Sequence, residues 1–229
     1  MLVTVDIGNT NITIGIFDKE DLIGTYRLTT KVRRTSDEYG FMLKNFLDRS
    51  NVHEKQIDSV IVSSVVPKVM HSFTNGIKKF VGIEPLIVGP GIKSGISVQL
   101  ENPRNVGADR IADCAGAFSE YGGPILVADF GTATTYDYVD ENGNTIKQSV
   151  TDEFGQPVGK DYDTVIDNRP KTIVTADGKV YELVPAGNYT VGKVDGQGHL
   201  ESSDATTGKV IEGRKDVTYI YKLKEQPAQ

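Results

Sequence analysis

Apolar and polar positions along the chain fall into two textures that change near residue 140. Up to about Val139, β-prone runs alternate with amphipathic helical segments. Leu2 to Phe17 predicts two strands around a Gly-Asn-Thr-Asn turn, and Gly24 to Thr29 predicts a third. Thr35 to Asp48 predicts a helix, because Thr35 and Glu38 have capping-box spacing and Tyr39, Met42, Leu43, Phe46 and Leu47 share one face. Ile57 to Val66 has the composition of a buried strand. Pro67 can open a second helix, with Val69, Met70, Phe73, Ile77 and Phe80 facing inward. Pro85 to Val88 predicts a short strand. Ile111 to Phe118 lies in a third helix, expected over residues 107–120, and Ile125 to Tyr138 reads as strand, Gly turn, strand.

After Val139 the helical period disappears. Short β-prone runs sit between turn clusters at Glu141-Asn142-Gly143-Asn144, Asp167-Asn168-Arg169-Pro170, Ala176-Asp177-Gly178-Lys179 and Asp195-Gly196-Gln197-Gly198. Val180 to Val184 and Val217 to Leu223 are the clearest strands. Turn signals at this density predict a small β-rich module over residues 139–229, following an α/β lobe over residues 1–138.

Composition narrows the class. The chain has 229 residues, 38% hydrophobic and 24% charged, as in an ordinary soluble globular protein. A net charge of -6 argues against nucleic acid or an anionic membrane as the main partner. Cys114 is the single cysteine, so no internal disulfide forms, and on its helix it reads as a packed thiol. No apolar run is long enough to span a bilayer, and Met1-Leu2-Val3-Thr4-Val5 enters a strand directly. The expected compartment is the cytoplasm. His53, His71 and His199 lack metal-ligand spacing. Arg33-Arg34 and Lys78-Lys79 read as solvated faces.

The chemistry lies in an internal repeat. Residues 3–18 read V-T-V-D-I-G-N-T-N-I-T-I-G-I-F-D, and residues 126–140 read L-V-A-D-F-G-T-A-T-T-Y-D-Y-V-D. Asp6 matches Asp129, Gly8 matches Gly131, Asn9 matches Thr132, and Asn11 matches Thr134. Each copy sets an acidic residue at a strand end before a Gly turn rich in hydroxyl or amide side chains. Glycine lets the backbone approach a ligand closely, and successive amides in such a turn form a concave anion site. The carboxylate can hold the metal that accompanies a nucleotide phosphate. One copy alone would read as a simple hairpin; two copies point to phosphate binding, with both Gly turns expected to face a common cleft. The P-loop motif is absent. A third constellation, Asn102 to Arg110, opens a helix whose amino terminus favours an anion. By itself the pair Asp109 and Arg110 reads equally as a helix-start carboxylate and a surface ion pair.

D-I-G-N-T-N, the run V-S-S-V-V-P ending at Pro67, V-G-P-G at Val88 to Gly91, N-P-x-x-V-G-A-D-R at Asn102 to Arg110 and D-F-G-T-A-T-T at Asp129 to Thr135 occur in this order, and the chain to about residue 138 resembles the amino-terminal half of a type III pantothenate kinase. The resemblance implies an actin- and sugar-kinase-like (ribonuclease H-like) lobe with a mixed sheet, a second lobe beginning near residue 124, and ATP-dependent phosphorylation of pantothenate, the first step of coenzyme A biosynthesis. It implies that Asp6, Ile7, Gly8, Asn9, Thr10, Asn11, Ile12 and Thr13 form a phosphate loop and that Thr132 contacts ATP. It implies that Gly107, Ala108, Asp109 and Arg110 contact pantothenate, with Asp109 as proton acceptor. Asp129 would bind potassium or ammonium, and magnesium would accompany ATP. The family often sets a tyrosine against pantothenate where this chain has Leu100.

From about Tyr138 the chain resembles a mucin-binding-protein repeat, a β-rich module of bacterial surface adhesins, through Tyr138 to Thr145, Thr175 to Val184 and Val217 to Lys222. This resemblance implies a second possible role, a non-catalytic glycan- or protein-binding module fused to a vestigial kinase lobe. On this reading the second lobe stops after one hairpin. Little or no turnover is then expected, an apolar face is left open for self-association, and the family's homodimer interface is largely missing.

Overall fold

The computed structural model describes residues 1–99, 106–130, 133–154, 157–164, 169–175, 178–211 and 215–224. It divides into two compact units. The first comprises Met1–Ile92 with Gly107–Asp109, and the second Lys93–Val106 with Arg110–Gln229.

The first unit is built on a mixed sheet. β1 (Leu2–Ile7), β2 (Asn11–Asp18) and β3 (Asp21–Thr29) form an antiparallel meander, while β4 (Ser59–Ser64) and β5 (Leu86–Ile87) run parallel to β1, giving the order β3-β2-β1-β4-β5. A mixed sheet whose first strands are antiparallel is the arrangement expected from the sequence. Val3, Val5 and Ile7 of β1 and Ile12, Ile14 and Ile16 of β2 are buried on one face, where the period of two sets every second side chain. Two helices cover that face, α1 (Ser36–Arg49) and α2 (Pro67–Val81), contributing Tyr39, Leu43, Leu47, Val69, Phe73 and Ile77. Thr35 caps α1 through the predicted capping box with Glu38, and Pro67 opens α2. The helices touch through Gly40 and Gly76: a methyl at Gly76 would stand 2.7 Å from the carbonyl oxygen of Ser36. The opposite face of β1 carries Thr4 and Asp6.

The second unit also starts with a meander. β6 (Ile125–Phe130), β7 (Ala133–Val139) and β8 (Thr145–Phe154) pair antiparallel. The sheet then departs from its counterpart. The free edge of β6 is taken by β15 (Asp216–Leu223), antiparallel, and β11 (Val180–Leu183) and β10 (Thr172–Val174) extend it to six strands. A parallel partner needs a long crossover, usually a helix, and the described residues after β8 contain none. An antiparallel strand is what the β-rich segment can supply. The expectation of a lobe ending after one hairpin with an open apolar face is therefore corrected, because β15 fills that edge and both sheet faces are covered. Leu126, Ala128, Tyr136, Tyr138, Val217, Tyr219 and Tyr221 pack on one side. On the other, α3 (Ala108–Tyr121) sets Cys114 against Ile125, Val127, Val139 and Ile220. Burial and the charge of Asp137 push the Cys114 thiol well above its usual range, as expected of an inert packed cysteine.

The tyrosine core gives the second unit a pH signature. Burial, then the charge of Asp137, pushes the Tyr138 phenol up to about 12 from 10.0, and burial also raises Tyr219 and Tyr221. The folded state holds these phenols protonated where the unfolded chain would ionise them. Their contribution to stability is complete below pH 10 and is lost as pH rises towards 12. Tyrosinate absorbance from these core residues should therefore appear only above pH 10 and together with loss of near-UV circular dichroism. A single step near pH 10 with the fold intact would contradict the core assignment.

Candidate functional site

The Gly8 turn is tight because its backbone closes on itself. The Gly8 amide donates to the Asn11 carbonyl at 2.9 Å, and a Cβ on Gly8 would stand 3.1 Å from that oxygen. Thr30, just after β3, clamps the turn, its hydroxyl donating to the Gly8 carbonyl at 2.7 Å and its amide to the Thr10 carbonyl at 2.9 Å. Asn9 and Thr10 are exposed, so their groups face solvent where an anion can reach them. Within the predicted loop the side chains divide. Ile7 and Ile12 are fully buried in the core and can offer a ligand only backbone, whereas Asp6, Asn11 and Thr13 are half-buried on the other face. Asp6 lies opposite Thr13 on β2 and Ser63 on β4. The Ser63 hydroxyl is buried without a hydrogen-bond partner.

At the start of α3, Gly107 leaves room for the carboxylate of Asp109, into which any Cβ at Gly107 would collide. Ala108 is buried and Asp109 half-buried in the first turn. The chain passes from the first unit to the second between Asp109 and Arg110. Arg110 makes a two-pronged pair with Asp137 of β7, Nε to Oδ2 at 3.1 Å and an Nη to Oδ1 at 2.8 Å, with both side chains largely buried. It is thus no surface ion pair. A bidentate pair fixes the plane of the guanidinium. Asp137 was not anticipated, although a carboxylate between Tyr136 and Tyr138 in a buried strand signals a need for a cation.

Asp129 is buried near the end of β6, opposite Thr135 on β7 and Asp216 on β15. Asp113 of α3 joins this group, and single carboxylate oxygens of Asp113, Asp129 and Asp216 all lie within 4.8 Å of one another. A cleft of about 470 Å³, lined by Asp113, Glu120, Ser203, Asp204, Asp216 and Thr218 among others, opens beside them. Neither Asp113 nor Asp216 was legible as a site residue. Leu100, Gly131 and Thr132 lie outside the described residues, and with Gly131 so does the expected common cleft of the two Gly turns.

Residues 2–147 match the sequence model of type III pantothenate kinase. The chain belongs to the type III pantothenate kinase family. Residues 134–222 match the MucBP domain, overlapping the kinase match across β7. The type III pantothenate kinase of Bifidobacterium adolescentis is 58% identical over 151 residues, covering 66% of this chain and 59% of that protein. Its counterpart from Bifidobacterium animalis subsp. lactis is 47% identical over 195 residues, covering 82% and 77%. The chain thus spans about three fifths of the first of these family members. The ROK hexokinase of Thermus thermophilus aligns at a TM-score of 0.36 and 13% identity, covering 77% of this chain and 56% of that one, a likeness too slight to bear on function. Among the described residues no helix is long and apolar enough to cross a membrane.

Proposed function

We propose that this chain is an attenuated pantothenate kinase, transferring the γ-phosphoryl group of ATP to the hydroxyl of pantothenate in the cytoplasm. The observation that carries the reading is family membership over residues 2–147, joined to a Gly8 turn whose tightly closed backbone presents Asn9 and Thr10 to solvent. The residues present suit the ligands. Exposed amides and small polar side chains at the turn suit phosphate oxygens, and Asp6 can hold magnesium that accompanies them. A buried carboxylate at Asp129 with further oxygens nearby suits a hard cation. ATP supplies the phosphoryl group and magnesium spreads its charge. The chain's part is to orient, to exclude water and to move one proton.

Asp109 is the proposed proton acceptor: its carboxylate takes the proton from the pantothenate hydroxyl as the oxygen attacks phosphorus. Arg110, held in one orientation by Asp137, is the proposed contact for a polar group of pantothenate, with Gly107 and Ala108 giving backbone. Asp6 to Thr13 hold the phosphates and Thr132 contacts the nucleotide. Leu100 replaces a polar pantothenate contact with an apolar one. We place the rate well below that of relatives, because β15 of the β-rich segment fills the edge of β6.

The monovalent-cation part of the proposal has its own test. Activation by potassium or ammonium should vanish in Asp129→Ala while circular dichroism is retained. A variant still activated by potassium would remove Asp129 from that role. The family's homodimer is carried as a proposal of the same kind, and the MucBP match leaves a glycan- or protein-binding role as its alternative. Against a free-standing module, the described strands β10, β11 and β15 lie in the same sheet as β6.

A further inference from the structure

We infer that the turn joining β7 to β8 is a clamp for the pantothenate-contacting segment, with Asn144 and Thr145 as positioning residues for that substrate; the inference rests on the kinase reading. The segment from Leu100 to Arg110 carries every residue to which the resemblance gives a pantothenate contact. It is anchored to the same hairpin on both sides. At its far end Arg110 pairs with Asp137 of β7. Just before it, the Ser97 amide donates to the Gly143 carbonyl at 2.7 Å and the Thr145 amide to the Ser97 carbonyl at 2.9 Å, so that Ser97 forms a parallel bridge with Asn144. The Gln99 amide then donates to the Thr145 hydroxyl at 3.0 Å, and the Gln99 side-chain amide to Oδ1 of Asn144 at 2.8 Å.

The turn that receives these bonds is fixed from within. Asp140 is 4% exposed, and its Oδ1 accepts from the amides of Asn142 and Asn144 at 2.8 and 2.7 Å while its Oδ2 accepts from the Asn144 side chain at 2.9 Å. That last bond orients the Asn144 side chain and leaves its Oδ1 to Gln99. Gly143 has a φ of 79°, and a Cβ on it would stand 3.1 Å from the Gly95 carbonyl oxygen, so the close approach of the segment requires glycine there. Gln99 is exposed, and hydrogen bonds that replace bonds to water contribute little to stability. What they fix is the point at which the chain leaves the hairpin towards Leu100. A segment held at both ends has fewer conformations to lose when it closes on a substrate, and the smaller entropy loss appears as affinity. The turn, residues 140–145, lies within both the kinase match and the MucBP match.

The test is steady-state ADP release by the full chain, with pantothenate and ATP varied separately, in Thr145→Val, Thr145→Ser and Gln99→Leu, beside amide hydrogen exchange at Gln99. Valine keeps the shape of the buried Thr145 and removes its hydroxyl, whereas serine keeps the hydroxyl. We expect Thr145→Val and Gln99→Leu each to raise the KM for pantothenate by about three- to tenfold, the weight of one hydrogen bond. The KM for ATP and kcat should stay within about twofold, as when only substrate binding is lost. Thr145→Ser should restore the pantothenate KM, and exchange at the Gln99 amide should quicken in Thr145→Val. A merely structural role would instead lower Tm and leave the two KM values moving together. If Thr145→Val does not fold, Gln99→Leu decides, since that side chain is exposed. A wild-type chain that turns over pantothenate while the folded variants keep its KM overturns the clamp and leaves the kinase reading standing. A wild-type chain with no pantothenate-dependent ADP release removes the kinase reading and the clamp's role with it.

Discussion

A chain ending at Val210 will lose the fold of its second unit while the core of the first remains. β15 sits inside the six-stranded sheet, between β11 and β6, and Val217, Thr218, Tyr219, Ile220 and Tyr221 are all buried. Val217, Tyr219 and Tyr221 enter one core and Ile220 the other. Burying each such large apolar side chain contributes about 1.5–3 kcal/mol, so four of them rival the roughly 5–15 kcal/mol by which a typical domain is stable. The edge of β6 would also lose its ladder. Near-UV circular dichroism from the tyrosines should collapse, and limited proteolysis should spare a fragment from the first unit. A truncated chain with its tyrosine signal and full protease resistance intact would mean that β15 is dispensable.

The first unit was legible because its determinants are local. Thr35 and Glu38 are three residues apart, Pro67 opens its own helix, and the residues predicted to face inward from α2 include Val69, Phe73 and Ile77 of the core. The Gly turn after Asp6 announced itself as a repeat. The second unit was legible only as strands and turns. Val217 to Leu223 was recognisable as a strand, but nothing in its own residues says that it pairs with Ile125 to Phe130, because pairing partners follow from topology and not from local period. For the same reason Asp216 could not be joined to Asp129, nor Asp137 to Arg110. Those pairs exist only once strands and helix are in place. Reading the kinase match as a lobe cut off after one hairpin ignored the ability of any β-prone segment to cover an open sheet edge.

The second large effect concerns Asp109. Asp109→Asn should lower turnover by about 10²–10⁴-fold, the usual weight of a positioned general base, because the amide cannot accept the proton. Folding should be nearly unchanged. Asp109 lies in the first turn of α3, where exchanging a carboxylate for an amide loses a helix-dipole interaction of about 0.3–1 kcal/mol. The amide is also of similar size, so the close approach to Gly107 is preserved. The effect should therefore appear in kcat far more than in Tm. A variant with unchanged turnover would rule out Asp109 as base, and one that fails to fold would show a structural role.

On the proposed reading, this chain phosphorylates pantothenate with Asp109 as the proton acceptor. Its most direct test is coupled ADP release by purified, monodisperse protein with ATP, magnesium and potassium, with and without pantothenate, beside Asp109→Asn. The account predicts slow, pantothenate-dependent ADP release, well below that of relatives and lost in Asp109→Asn. ADP release that ignores pantothenate, that stays at the blank, or that persists undiminished in Asp109→Asn would contradict it.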